Sequence, residues 1–194
     1  MLRSGRLLTL ALATTIVAAG FSAGVAGAAS HPTLPAPHSR LIVPNVGIGG
    51  VRLGQRLSPL PRGWRHPAKC QTGQGLKVCY WTDHTQRDVG PAHPLSGPVV
   101  YITAYRNRIV RFELSVHTGD PARSALSHWR TGRKIGIGSS FASVASAYGA
   151  GGPGTGPTIY DLWGSGRQTN TLFGSVGGIV NDVRIDACSS INPC

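Results

Sequence analysis

Glu113 is the only glutamate of the chain, and it stands two residues after Arg111 and four before His117. A carboxylate base, a histidine acid and an arginine to hold phosphate charge are what a ribonuclease brings together. On an extended strand Glu113 and Arg111 point the same way, about 7 Å apart. His117 joins them only if the strand continues through Thr118, and Gly119-Asp120 ends it. The same face supports another reading. Tyr101, Tyr105, Arg106, Arg108, Arg111 and Glu113 make up the mixture of aromatic, arginine and rim charge that protein interfaces favour. These six are the candidate binding residues, and no residue is assigned a catalytic role.

Other chemical patterns are excluded by their context. Gly149-Ala150-Gly151-Gly152-Pro153-Gly154 spells GxGxxG, but a dinucleotide fingerprint follows a strand and opens a helix, and here a helical pattern precedes it. No GxSxG elbow or GK[ST] phosphate loop occurs. The seven histidines are scattered, with no HxH or HExxH, so no metal and no cofactor are expected. Cys70, Cys79, Cys188 and Cys194 lack the short CxxC spacings of a zinc site. Proximity pairs them as Cys70–Cys79 and Cys188–Cys194, two local disulfides in an oxidising compartment.

That compartment is read from the N-terminus. Arg3 and Arg6, the apolar run Leu7–Ala19 and Ala26-Gly27-Ala28 form the three regions of a cleavable export signal, residues 1–28. The apolar run is short for a membrane span, and no integral span is expected after cleavage. Removing Arg3 and Arg6 from a formal charge of +12 leaves +10. Such a charge suits polyanions in general. The basic residues never form a run of three, however, so no specific nucleic acid is expected.

These residues must be positioned by a modest set of elements. Residues 29–45 carry four prolines and read as an extended lead. Asp120–Gly132 has a capping Asp, Pro121 at the first helical position and Ala122, Ala125, Leu126 and Trp129 at helical spacing. Phe141–Tyr148 repeats that spacing, with Ser139 or Ser140 as cap and Gly149 as stop. Val99–Tyr105 and Ile109–Val116 read as a hairpin symmetric about Asn107. That register pairs Ile102 with Phe112, Ala104 with Val110 and Tyr101 with Glu113, which separates an apolar face from a polar one.

A duplication is also visible. Val51-Arg52-Leu53-Gly54-Gln55-Arg56-Leu57 aligns with Ile135-Gly136-Ile137-Gly138-Ser139-Ser140-Phe141, and later Ile109, Phe112 and Leu114 align with Val180, Val183 and Ile185 in the same order. The first copy is the longer in its middle, where the Cys70–Cys79 loop and a proline-rich segment supply the excess. The pattern of Ile135–Gly149, followed by Thr171-Leu172-Phe173 and Gly178-Ile179-Val180…Val183…Ile185, resembles the repeat of the BLIP-like and SmpA/OmlA-like exported bacterial proteins. The resemblance implies protein–protein binding, as in β-lactamase inhibitors or envelope-machine accessories.

The expected architecture is α+β, two tandem repeats, each a short helical segment packed on a small antiparallel sheet. Repeat 1 spans 46–119 with its Cys70–Cys79 loop. A linker helix and repeat 2 span 120–194. The expected function is secreted, non-enzymatic binding of a protein or cell-envelope component. A small basic hydrolase such as a ribonuclease using Glu113, or an envelope structural protein, is the alternative. N-terminal sequencing of the exported protein is expected to start at Ala29; an intact Met1–Ala28 would overturn the signal reading.

Overall fold

A computed structural model describes residues 34–82, 97–117, 119–152, 154–164 and 168–187. The strands expected at 99–116 are β6 (Pro98–Tyr105) and β7 (Arg108–Val116). They lie inside a seven-stranded antiparallel sheet with β4 (Lys69–Gly73), β5 (Leu76–Thr82), β9 (Ile159–Trp163), β10 (Thr169–Val176) and β11 (Ile179–Ala187). The order is β4-β5-β6-β7-β11-β10-β9. A second sheet of four short strands is ordered β3-β2-β1-β8, from β1 (Leu41–Val43), β2 (Gly47–Ile48), β3 (Val51–Arg52) and β8 (Arg130–Thr131).

This corrects the expected α+β architecture of two helix-on-hairpin repeats: the protein is mostly β, and α1 (Phe141–Tyr148) is the single α-helix among the described residues. The physical reason is area. Only Val144 of α1 is buried, too little to cover a hairpin. The hairpins instead join edge to edge into one sheet, with β7 pairing β11 from Arg111↔Asp186 to Ser115↔Asp182, and its apolar face packs against Ile42, Ile48, Val51, Trp64 and Trp129. In the first half Leu57 runs into Pro59 and Pro61, which offer no N–H for a helix, and the chain makes only a 3-10 turn at Arg62–Trp64.

The helix expected over Asp120–Gly132 is also absent. Two 3-10 turns, Pro121–Arg123 and Ala125–His128, take its place. Asp120 accepts from the Ala122 amide at 2.9 Å and Ser124 from the Leu126 amide at 3.2 Å. These local side-chain bonds compete with helix propagation, and Ser124 turns extended, with ψ 148°. Leu126 and Trp129 still reach the core. The C-terminal part of the segment read as an extended lead is built in as well, because β1 lies there and pairs with both β2 and β8.

Each long hairpin contains a bulge. β6 and β7 follow the expected register down to Thr103↔Arg111, but Ala104 pairs with Ile109 and Tyr105 with Arg108. Val110 is the extra residue, and Arg106 and Asn107 form a two-residue turn with φ of 47° and 64°. β10 and β11 behave likewise: Gly174 pairs with Asp182 but Ser175 with Val180, so Asn181 bulges, and Gly177 and Gly178 turn with φ of 59° and 77°. Both central φ values are positive, as this tight hairpin turn requires. The bulge shifts strand parity. Ile109, Phe112 and Leu114, spaced three and then two apart, therefore all face the core, as do Val180, Val183 and Ile185.

Beyond each bulge the strand takes another partner. Gly54 donates its amide to Ile109 O (2.8 Å), Ile109 to Gln55 O (2.8 Å) and Leu57 to Asn107 O (2.9 Å). In the second half Gly138 donates to Val180 O (2.7 Å), Val180 to Ser139 O (2.9 Å) and Phe141 to Gly178 O (2.7 Å). Gly54 and Gly138 have φ of 76° and 81°, which only glycine adopts cheaply.

The core lies on one side of the large sheet. Trp64 packs edge-on against Trp81 (5.6 Å between ring centroids) and Trp129 (5.7 Å), and its indole N–H donates to Gly49 O at 3.0 Å. Cys70 and Cys79 face each other across β4 and β5 and form a disulfide. Cys188 and Cys194 lie outside the described residues. No helix among the described residues is long and apolar enough to cross a membrane.

Phe112 is fully buried, so Phe112→Ala is expected to destabilise the fold by about 3–5 kcal/mol, measured by chemical denaturation. A loss below about 1 kcal/mol would contradict this placement.

Candidate functional site

The opposite face of the large sheet is where the expected binding residues gather. Strand alternation and register define rows that run across it. One row reads Tyr80, Tyr101, Glu113, Arg184, Leu172, Asp161; the next reads Val78, Thr103, Arg111, Asp186, Asn170, Trp163. Tyr101 and Glu113 are cross-strand partners, as the hairpin reading anticipated. Tyr105 pairs with Arg108 at the hairpin tip, where Arg106 lies over the Tyr105 ring at 5.1 Å. The six candidates thus divide into a central group (Tyr101, Arg111, Glu113) and a tip group (Tyr105, Arg106, Arg108). The stretch of strand between them is on the order of 12 Å long.

The central group is tied down by residues that sequence reading passed over. Asp186 is buried, its carboxylate held by Arg111 Nε on one oxygen and approached at 3.0 Å by Arg184 Nε on the other. The second approach is close enough for an ion pair but lacks hydrogen-bond alignment. Farther along, buried Asp161 accepts from the Trp163 indole, from Asn170 Nδ2 (3.3 Å) and from the Gly154 amide (3.2 Å). Asp182-x-Arg184-x-Asp186 alternates with Val183 and Ile185, a period-two signal that was present in the sequence.

Four of the seven acidic residues, Glu113, Asp161, Asp182 and Asp186, therefore share one sheet face in a strongly basic chain. The strain falls on Asp182. Its Oδ1 is buried without a hydrogen-bond partner, and Ser115 opposite bonds the carboxyl. Loss of solvent pushes its pKa up to about 7, and the Glu113 charge adds to the rise; Arg184 and the Ser115 bond oppose it, and Asp186 raises it slightly. Gly174, the partner of Asp182 on β10, packs closely against it: a Cβ there would stand 3.2 Å from Asp182 Cβ, so that Asp182 would have to give by a few tenths of an ångström. Tyr101 is likewise pushed up to about 12, first by burial, then by Glu113 and by Tyr80. Its hydroxyl remains a proton donor across the biological pH range.

The ribonuclease grouping does not assemble. Arg111 is engaged with Asp186. β7 ends at Val116, and His117 is exposed beyond it, its amide bonded to Gly97 O at 3.3 Å. Among the described residues no three His, Cys, Asp or Glu side chains approach closely enough to hold a metal ion. Comparison with protein-family models, with curated proteins and with solved structures finds no match to this chain.

Asp182 makes stability depend on pH. Its folded pKa of about 7 lies above the ordinary 3.8, so the folded protein keeps a proton that the unfolded chain releases between those values. The stability this provides is complete below about pH 4 and is lost as pH rises through 7. Asp182→Asn, which mimics the protonated acid, is expected to raise the melting temperature at pH 8 and to leave it nearly unchanged at pH 3.5. Equal effects at both pH values would contradict the assignment.

Proposed function

We propose that the protein is exported and acts by non-covalent binding of a protein partner through the outer sheet face, with no catalytic step. One observation carries the reading. Tyr80 and Tyr101, with ring centroids 6.1 Å apart, and Tyr105 with Arg106 stand half-exposed or exposed on one rigid surface. Aromatic and arginine side chains already held in place lose little freedom on binding and contribute most of the energy at protein interfaces. The buried ion pairs at Asp186 stiffen the strands beneath them. The resemblance of Ile135–Gly149 and Thr171–Ile185 to repeats of exported binding proteins adds support.

The alternative hydrolase would rely on Glu113. It is disfavoured because the arginine beside Glu113 is committed to Asp186 and His117 lies past the strand end.

Capture of a partner from culture medium and envelope extract, by wild type and three variants, tests the reading. Tyr101→Ala and Tyr105→Ala are each expected to weaken capture by about 5- to 150-fold, on the order of 1–3 kcal/mol. Glu113→Gln should matter less, because a rim charge mainly tunes the association rate. RNA cleavage that disappears with Glu113→Gln would overturn the proposal, as would capture indifferent to both tyrosines.

A further inference from the structure

The tips of the two bulged hairpins stand on matching backbone and carry opposite chemistry. Arg56 bridges Arg108 beside the β6–β7 turn, and Ser140 bridges Ile179 in the same antiparallel way beside the β10–β11 turn. With the three hydrogen bonds that recur at each tip, this makes the two scaffolds correspond residue by residue. Where one tip has Arg56, Arg106 and Arg108, the other has Ser140, Gly177 and Ile179. The scaffold folds without the arginines.

Their presence is also unfavourable to folding. All three are exposed, and among the described residues none lies within ion-pair distance of a carboxylate. Arg56 and Arg108 stand directly opposite, where like charges repel. Arg106 occupies a φ of 47° that its counterpart, Gly177, meets without strain. The acids of the outer face lie away from this tip, toward the β7–β11 seam and β9. Two of the guanidinium groups are nevertheless steadied. Arg108 Nη1 donates to Gly54 O at 2.9 Å, and Arg106 rests on the Tyr105 ring. Those contacts use few of their N–H donors.

We propose that this tip is a binding site for a phosphate polymer, with Arg56, Arg106 and Arg108 gripping successive phosphates. The planar guanidinium fork matches phosphate oxygens in pairs, whereas a lone surface charge would not need it. A bound polyanion also relieves the repulsion between Arg56 and Arg108. Recognition is of phosphate charge and spacing, with no reading of bases, and it does not depend on the protein contact proposed above.

The second tip supplies the test variant. In Arg56→Ser, Arg106→Gly, Arg108→Ile each arginine takes the residue found at the matching position. The fold is expected to persist, with a melting temperature within about 4 °C of wild type. A control, Arg62→Ser, Arg65→Ser, Lys134→Ser, removes the same charge from exposed positions elsewhere. Binding of a fluorescein-labelled twelve-residue oligothymidylate is measured by anisotropy from 0.05 to 0.3 M salt, with inorganic polyphosphate as competitor.

Three phosphate contacts at about 0.7 counterions each predict that the tip variant loses about 100-fold in affinity at 0.1 M salt and that its salt slope falls by about 2. The control should stay within a few-fold of wild type. Displacement by polyphosphate, which has no base or sugar, assigns recognition to the phosphate chain itself. Equal losses in the two triple variants, failure of polyphosphate to compete, or no binding by wild type would each overturn the proposal.

Discussion

The structure depends on the pairing of β7 with β11, and on the bulge that limits it in each strand. Between the bulges and the strand ends the two hairpins share hydrogen bonds and become one sheet. Before the bulges each strand accepts a different partner, Gly54–Leu57 or Gly138–Phe141. One extra residue per strand thus lets a single edge pair with two partners in succession, which matters because buried amides and carbonyls left unpaired are costly. The same bulges turn Ile109 and Val180 inward. The tryptophan cluster and the small sheet then have a continuous apolar surface to cover.

The seam shapes both faces. Inside, it joins Phe112, Leu114, Val183 and Ile185 into one core. Outside, it brings Arg111 and Arg184 to the two oxygens of Asp186 and places Glu113 near Asp182. A partly buried ion pair is weak evidence for stability, because desolvation offsets attraction. Its effect here is positional: it fixes the strands beneath Tyr101 and engages Arg111 Nε. The charge is sorted along the sheet as well. Acids gather at the seam and the β9 end, and the arginines of the β6–β7 tip have no carboxylate partner among the described residues. A formal net charge says nothing of such sorting.

Several features were legible because they are local. A serine cap, the helical spacing and Gly149 marked α1, and the structure settles the cap on Ser140 rather than Ser139. The alternation of Val100, Ile102 and Phe112, Leu114 marked a strand pair and its two faces. Cys70 and Cys79 were near enough to pair. The reading of Asp120–Gly132 as a helix went wrong for a reason just as local. Of its four spaced apolar residues only Leu126 and Trp129 are buried, and the capping by Asp120 and Ser124 favours separate turns. The hairpin register missed the bulge because a period-two count assumes one residue opposite one. The spacing of three and then two in Ile109, Phe112 and Leu114 was its trace.

By itself, the sequence determined the strands of the central hairpin, the helix α1, and the polar and apolar faces. Each of these rests on residue type and backbone preference within a short stretch of chain. Only the tertiary structure decided that the two halves merge into one sheet and that Asp186 takes up Arg111. It alone decided that Asp182 loses its solvent and that Arg56 comes to face Arg108. Those outcomes require strands from opposite halves of the chain, or a docked segment far upstream of its partner, to meet at one register. Burial and charge pairing exist only once they have met.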